Sequence, residues 1–283
     1  MSAEVSRESI EQLLKQVTIP PRPALLIELD RELGGAEPDF RAVAALVGKD
    51  VGISAAMLKT LNSPLFALRS KIGNVTQAVQ LLGMRNVRNI VTGLMLRNMV
   101  GAGQNLERFW DSAEKVAAIN AYLCSILPKT PRDEAYTFGL FRDCGIVILL
   151  RRFPEYQGIL EKANHDADNP FTDSEQAALP TDHTVVGCLL AQNWWLPDDI
   201  CQAIRHHHRL NTLDEQTIQL PLPSRRLIAV AQTAEYLVQQ ITGGSRTEEW
   251  KKMGPSCLHL LGLDEALLTS FFPEAEKLLA TIA

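Results

Sequence analysis

The chain has 283 residues, 46% of them apolar and 22% charged, enough to bury a large core as one domain or as two coupled lobes. With 28 Lys+Arg against 33 Asp+Glu the net charge is −5, and no clustered cationic surface for a nucleic acid is written in it. The polar N-terminus carries no apolar leader core, and GIVILL at 145–150 is too short to cross a bilayer. Five scattered cysteines without CxxC spacing suit buried thiols in a reducing cytosol. A cytoplasmic, all-helical protein without membrane contact is expected, with nucleic acid the least supported partner.

Periodicity is helical nearly throughout, with no alternating strand pattern between hairpin turns. A short helix over 1–17 precedes TIPPRPALLIELDRELGG, where the prolines at 20, 21 and 23 suit a loop and a first helical turn. Gly34 and Gly35 supply a stop. Asp39 and Asp50 are set to cap helices over 40–48 and 51–62, and Asn74 or Thr76 can begin one over 76–82. Gly83 leads into a helix over 84–99. Its Val87, Ile90, Val91, Leu94 and Met95 share one face, and Arg85, Arg88, Asn89 and Thr92 the other. Residues 18–100 therefore read as a compact lobe.

GAGQN at 101–105 reads as a hinge, followed by helices over about 107–127 and about 133–153, the second ended by Pro154. Thr172 and Glu175 have capping-box spacing for a helix over 173–179, and Thr181 can cap one over 182–195. Pro197, Asp198 and Asp199 open a helix reaching about 208. Residues 211–224 read as a loop, and further helices fill 225–242 and 246–281.

Three places could carry chemistry. Arg142-Asp143 lies in an apolar stretch, where a carboxylate must be paired or neutral; it is either an internal ion pair or a metal ligand. His183 stands in the first turn of its helix, where the dipole favours a neutral ring, so it is either a hydrogen-bonding residue or a ligand. His206-His207-His208 complements a helix C-terminus, and one or two of the three could also bind metal. No Ser-His-Asp, P-loop, Rossmann or HExxH pattern is present.

Taken in order, IPPRPALLIELDREL, the Asp50 helix with LKTLNSPLF, IGNVTQAVQLLG, GMRNVRNIV, FWDSAEKVAAINAYL, FGLFRDCGIVILLRRFPEY and TDHTVVGCLLAQNWWLPDDICQAIRHHH resemble the HDOD family. The likeness covers about 12–210. It implies an N-terminal helical bundle lobe (18–100) packed on a degenerate HD-like helical core (105–215), with 216–283 as helices completing the second lobe. Against the ligand set of active HD phosphohydrolases, the early His falls at Ser112 and the His of the His-Asp pair is Arg142. Asp143, His183, His207 and His208 match, with one residue of register open toward His206. The terminal Asp has no clear counterpart; Glu235 is the nearest acid. No GYP segment follows the histidines, as it does in the related enzymes that hydrolyse cyclic dinucleotides.

The resemblance thus implies a non-enzymatic regulatory module with no metal and no cofactor. A guanidinium about 4 Å from a divalent ion repels it by about 8 kcal/mol at an effective dielectric of about 20. Partners would be two-component or cyclic-di-GMP signalling proteins. The alternative is a metal-dependent phosphohydrolase with an altered shell. A third class is anion or nucleotide sensing through Arg85, Arg88 or Arg142.

Overall fold

The computed structural model describes residues 17–62, 71–100, 106–214, 220–244 and 246–282, and every regular element among them is an α-helix. The helix predicted over 1–17, save its last residue, and the hinge at 101–105 lie outside the described residues.

The first lobe is built from α1 (Ala24–Leu33), α2 (Phe40–Gly48), α3 (Val51–Leu61), α4 (Val75–Leu82) and α5 (Met84–Val100). Its helix starts are set by side chains that the sequence announces. Asp39 accepts from the Arg41 amide, Asp50 from that of Ile53, and Asn74 from that of Gln77. At Gly83 the backbone turns from α4 into α5 with φ +82°, a value that favours glycine. Leu26, Leu29, Val43, Val47, Ile53, Met57 and Leu61 are fully buried in one core with Ile90 and Val91 of α5.

The second lobe winds around two long helices, α6 (Glu107–Ile126) and α13 (Leu222–Thr242). Between them in sequence come α7 (Arg132–Phe141), α8 (Cys144–Arg152), α9 (Tyr156–His165), α10 (Phe171–Ala178), α11 (His183–Asn193) and α12 (Asp198–His206). The chain closes with α14 (Glu249–Leu261), α15 (Glu265–Ser270) and α16 (Phe272–Leu279). Helix α5 packs on both α3 and α7, so the lobes share one continuous core.

Four sequence expectations change here. The single helix over 133–153 is two, broken at Arg142-Asp143, where Asp143 leaves helical geometry with φ −103° and ψ 9°. Residues 156–165, which none of the predicted elements covers, form α9. Asp182 rather than Thr181 caps α11, accepting from the amides of Thr184 and Val185. Thr172 and Glu175 make no capping box: α10 begins after Pro170 without a side-chain cap, because Glu175 is drawn into the core.

Helix α11 ends on the seam between the lobes. Trp194 Nε1 and Asn193 Nδ2 both donate to the Pro20 carbonyl at 3.2 Å. Arg88 donates to the Trp195 carbonyl at 3.2 Å, and Arg22 lies 4.1 Å from the centre of the Trp195 ring. Arg88 also grips Asp30 through Nε at 2.8 Å and Nη2 at 3.1 Å, while Arg22 pairs with the same carboxylate.

Candidate functional site

The break after α7 is what presents the site. With the chain unwound at residue 143, Asp143 turns toward the start of α11 and the end of α12. Gly145 makes the approach possible: a Cβ there would stand 2.0 Å from the His183 carbonyl oxygen and 2.9 Å from the Gly187 nitrogen. Only hydrogen lets α8 lie this close to α11.

Asp143, His183, His207 and His208 come together with one donor atom each inside 4.8 Å. Asp143 Oδ1 lies 3.2 Å from His207 Nε2 and 3.7 Å from His183 Nε2, and the two Nε2 atoms are 3.5 Å apart. The register left open in the sequence settles on His207 and His208, and His206 is outside the group.

Each histidine is held through its other nitrogen. His183 Nδ1 faces Glu175 at 2.7 Å, His207 Nδ1 the Ile204 carbonyl at 2.8 Å, and His208 Nδ1 Glu249 at 2.8 Å. Glu175 is fully buried and also accepts from the Tyr156 hydroxyl; Glu249 is buried and paired with Lys252. Outer partners of this kind fix ring orientation and tautomer at metal-binding histidines. Phe171 stacks on His208 with centroids 4.6 Å apart.

Arg142 points into the core rather than away from it. Its Nε is 3.1 Å from Asp143 Oδ2 and its Nη1 is 2.8 Å from Glu235 Oε2. Of the two sequence readings of Arg142-Asp143, the internal ion pair is present, and Glu235 adds a second carboxylate to the same guanidinium. Ser112 does not join the group; with Glu235 it lines a separate cleft of about 210 Å³ between α6 and α13.

Protonation follows from these contacts. Burial opposes charge on His183, but Glu175, Asp143 and Asp182 outweigh it and raise the ring to about 9. Burial and the neighbouring His208 lower His207 to about 3. Against burial, Arg142 and the two histidines hold Asp143 well below the usual carboxylate range, while the carboxylates of Asp143 and Glu235 raise Arg142.

Of the arginines expected to take an anion, Arg88 is occupied by Asp30 and Arg142 by Asp143 and Glu235, so both already face carboxylates. The Arg85 side chain lies outside the described residues. The sequence reading missed Tyr156, Glu175 and Glu249. Glu175 carried a local signal that led elsewhere, and Glu249, 41 positions from His208, carried none.

The HDOD domain model matches residues 19–210. An uncharacterized protein of Treponema pallidum is 27% identical over 206 residues, 70% of this chain and 39% of the relative. A Vibrio cholerae protein named Cyclic di-GMP phosphodiesterase CdgJ is 24% identical over 135 residues, 46% of this chain and 30% of that protein. The chain thus spans well under half the length of these curated relatives. Among solved structures, an HDOD domain protein from Geobacter sulfurreducens matches 99% of this chain and 98% of its own, with TM-score 0.73 and 20% identity. A putative signal transduction protein from Marinobacter aquaeolei matches 99% of this chain and 66% of its own, with TM-score 0.71 and 20% identity. No helix among the described residues is long and apolar enough to cross a membrane.

Proposed function

Because the chain belongs to the HDOD domain family, we propose that it is a non-catalytic signal-transduction module that works by binding other signalling proteins, of the two-component or cyclic-di-GMP kind. One observation carries this reading. The Arg142 guanidinium lies between Asp143 and Glu235, where the HD pattern implied by the sequence has a histidine and a cation. A guanidinium cannot lower the pKa of a bound water as a metal ion does, and Ser112 supplies no imidazole to rebuild the shell. The likeness to a putative signal transduction protein and to a protein named for cyclic di-GMP supports the choice of partner class.

The test is hydrolysis of bis(p-nitrophenyl) phosphate and of cyclic di-GMP by protein supplied in turn with Zn, Mn and Fe. Turnover at background is expected. Turnover lost in Asp143→Ala and His183→Ala would sink the reading. In cells, a signalling phenotype should survive the same substitutions wherever the variants remain folded.

A second reading, a metal-dependent phosphohydrolase with an altered shell, is favoured by one feature, the four donors within 4.8 Å. The residues fit a divalent ion: Asp143, His183, His207 and His208 would hold it, and it would supply an activated water if one position stayed open. The same hydrolysis assay decides between the two.

A further inference from the structure

The two lobes meet through α5, but they do not close evenly along it. At Gly93 the contact is tight: a Cβ there would lie 2.5 Å from Leu140 Cδ1 of α7. One turn on, at Arg97 and Tyr136, a cavity of about 470 Å³ opens between the lobes. Small-molecule sites usually measure about 300–1,000 Å³ and favour the seams between domains.

The sequence of α3 makes this space. Ile53, Met57 and Leu61 recur every fourth residue and are buried in the first lobe. Beside them runs a second face of Gly52, Ala56 and Thr60, which lines the cavity. Side chains this short leave the room in front of them unfilled. The remaining walls come from Leu94 of α5, Ala118 of α6 and Tyr136 of α7, so both lobes contribute.

Polar groups on these walls are mostly engaged already. The Thr60 hydroxyl donates to the Ala56 carbonyl at 2.9 Å and is hydrogen-bonded with Tyr136, whose proton is held more firmly because of burial. Asn62 accepts from the Ile72 amide at 2.7 Å and donates to its carbonyl at 2.8 Å. Arg97 is paired with Glu114. Lys59 lines the same cavity, is exposed, and has no ion pair among the described residues. An apolar pocket with one unmatched ammonium beside it suits a ligand that is apolar over most of its length and anionic at one end. A nucleotide would bring more negative charge than a single lysine answers.

We propose that this cavity binds a small monocarboxylate with an apolar body, its carboxylate at Lys59 and its body against Ala56, Leu94 and Ala118. Such a ligand touches both lobes at once, so it favours the arrangement in which both sets of walls are within reach. It would then be a signal that the module passes on. In that last point the inference rests on the non-catalytic signalling reading; the existence of the site does not.

The experiment is calorimetric titration of the full chain with octanoate and with octanol, the same chain length with and without the charge. Saturable binding of one octanoate per chain is expected, and at about 100 times Kd it should raise Tm by about 3 °C or more. Lys59→Gln should weaken octanoate about 3- to 5-fold, the size of one exposed ion pair, and leave octanol unchanged. Ala56→Phe fills the space and should abolish binding of both. Gly52→Leu fills it from an exposed position and serves if Ala56→Phe fails to fold. Folded wild-type protein without saturable binding, or undiminished binding in a folded filled variant, would overturn the site and leave the non-catalytic reading standing. Equal loss of octanoate and octanol in Lys59→Gln would overturn the role given to the ammonium. Phosphodiester turnover would overturn the signalling role and leave the site itself in place.

Discussion

The two lobes handle polar residues in opposite ways. In the first, Asp39, Asp50 and Asn74 sit at helix starts at the edge of the core, each satisfying a backbone amide of its own turn. In the second, Glu175 and Glu249 are buried and satisfy His183 and His208, the latter pair 41 positions apart in the chain. Caps at the surface serve the helix that carries them. Buried networks of this kind are costly unless complete, and a fold that needed only stability would have used apolar residues there. Local rules therefore succeed in the scaffold and fail at the site.

The sharpest way to break this contrast is to substitute one glycine in each lobe. Gly145→Ala pushes a Cβ onto the His183 carbonyl and should destabilise by upwards of about 3 kcal/mol in urea melts. Gly83→Ala has open space around it and meets only the strain of its positive φ, on the order of 1 kcal/mol. Equal losses would mean that the close contact of α8 and α11 does not constrain the second lobe.

Next in size is Glu175→Ala. It strands the Tyr156 hydroxyl and the His183 ring in a fully buried place, and about 3–5 kcal/mol should be lost. Asp50→Ala, a cap in the first lobe, should cost only about 1 kcal/mol. Paired denaturation curves give both numbers, and a Glu175 variant no weaker than the cap variant would contradict the network.

Acid should act mainly on the second lobe. Despite burial, Asp143, Asp182 and Glu249 are held below the ordinary carboxylate range, Glu249 at about 2 by His208 and Lys252. A depressed carboxylate contributes stability that is fully present above its unfolded value, about 4, and is lost as pH falls through the folded value. Tryptophan fluorescence of Trp194, fully buried in the second lobe, should therefore report loosening below about pH 4. A signal flat down to pH 2 would count against the pairing.

The smallest effect concerns the thiols, all five of which lie on helices of the second lobe. All five are buried, and burial pushes Cys201 up to about 12 and Cys188 up to about 11. Maleimide should label none of them at neutral pH until the protein unfolds. Rapid labelling of the native chain would show that α11 and α12 open readily.

What was legible in the sequence follows the same division. Asp39, Asp50, Asn74 and Gly83 announce their helices because cap and stop act within a few residues. Asp143, His183, His207 and His208 were legible as candidates because rare polar residues stood in apolar or helix-end settings. The break at Arg142-Asp143 was not, since nothing local forbids a continuous helix through FGLFRDCGIVILL, and the Glu235 that Arg142 meets there lies 93 positions away. Glu175 misled for a related reason. Its spacing from Thr172 satisfies the capping rule, but two buried partners from other helices compete for the carboxylate and win.

Helix α11 carries His183 as its first residue and passes through Asn193 to the tryptophans that rest on Pro20 and Arg88. Eleven residues of α-helix make a strut about 16 Å long. Neither end is free to slip: one is pinned by Glu175 and the cap at Asp182, the other by three hydrogen bonds to the opposite lobe. A displacement of the imidazole therefore has a direct mechanical route to the first lobe, through one helix held at both ends.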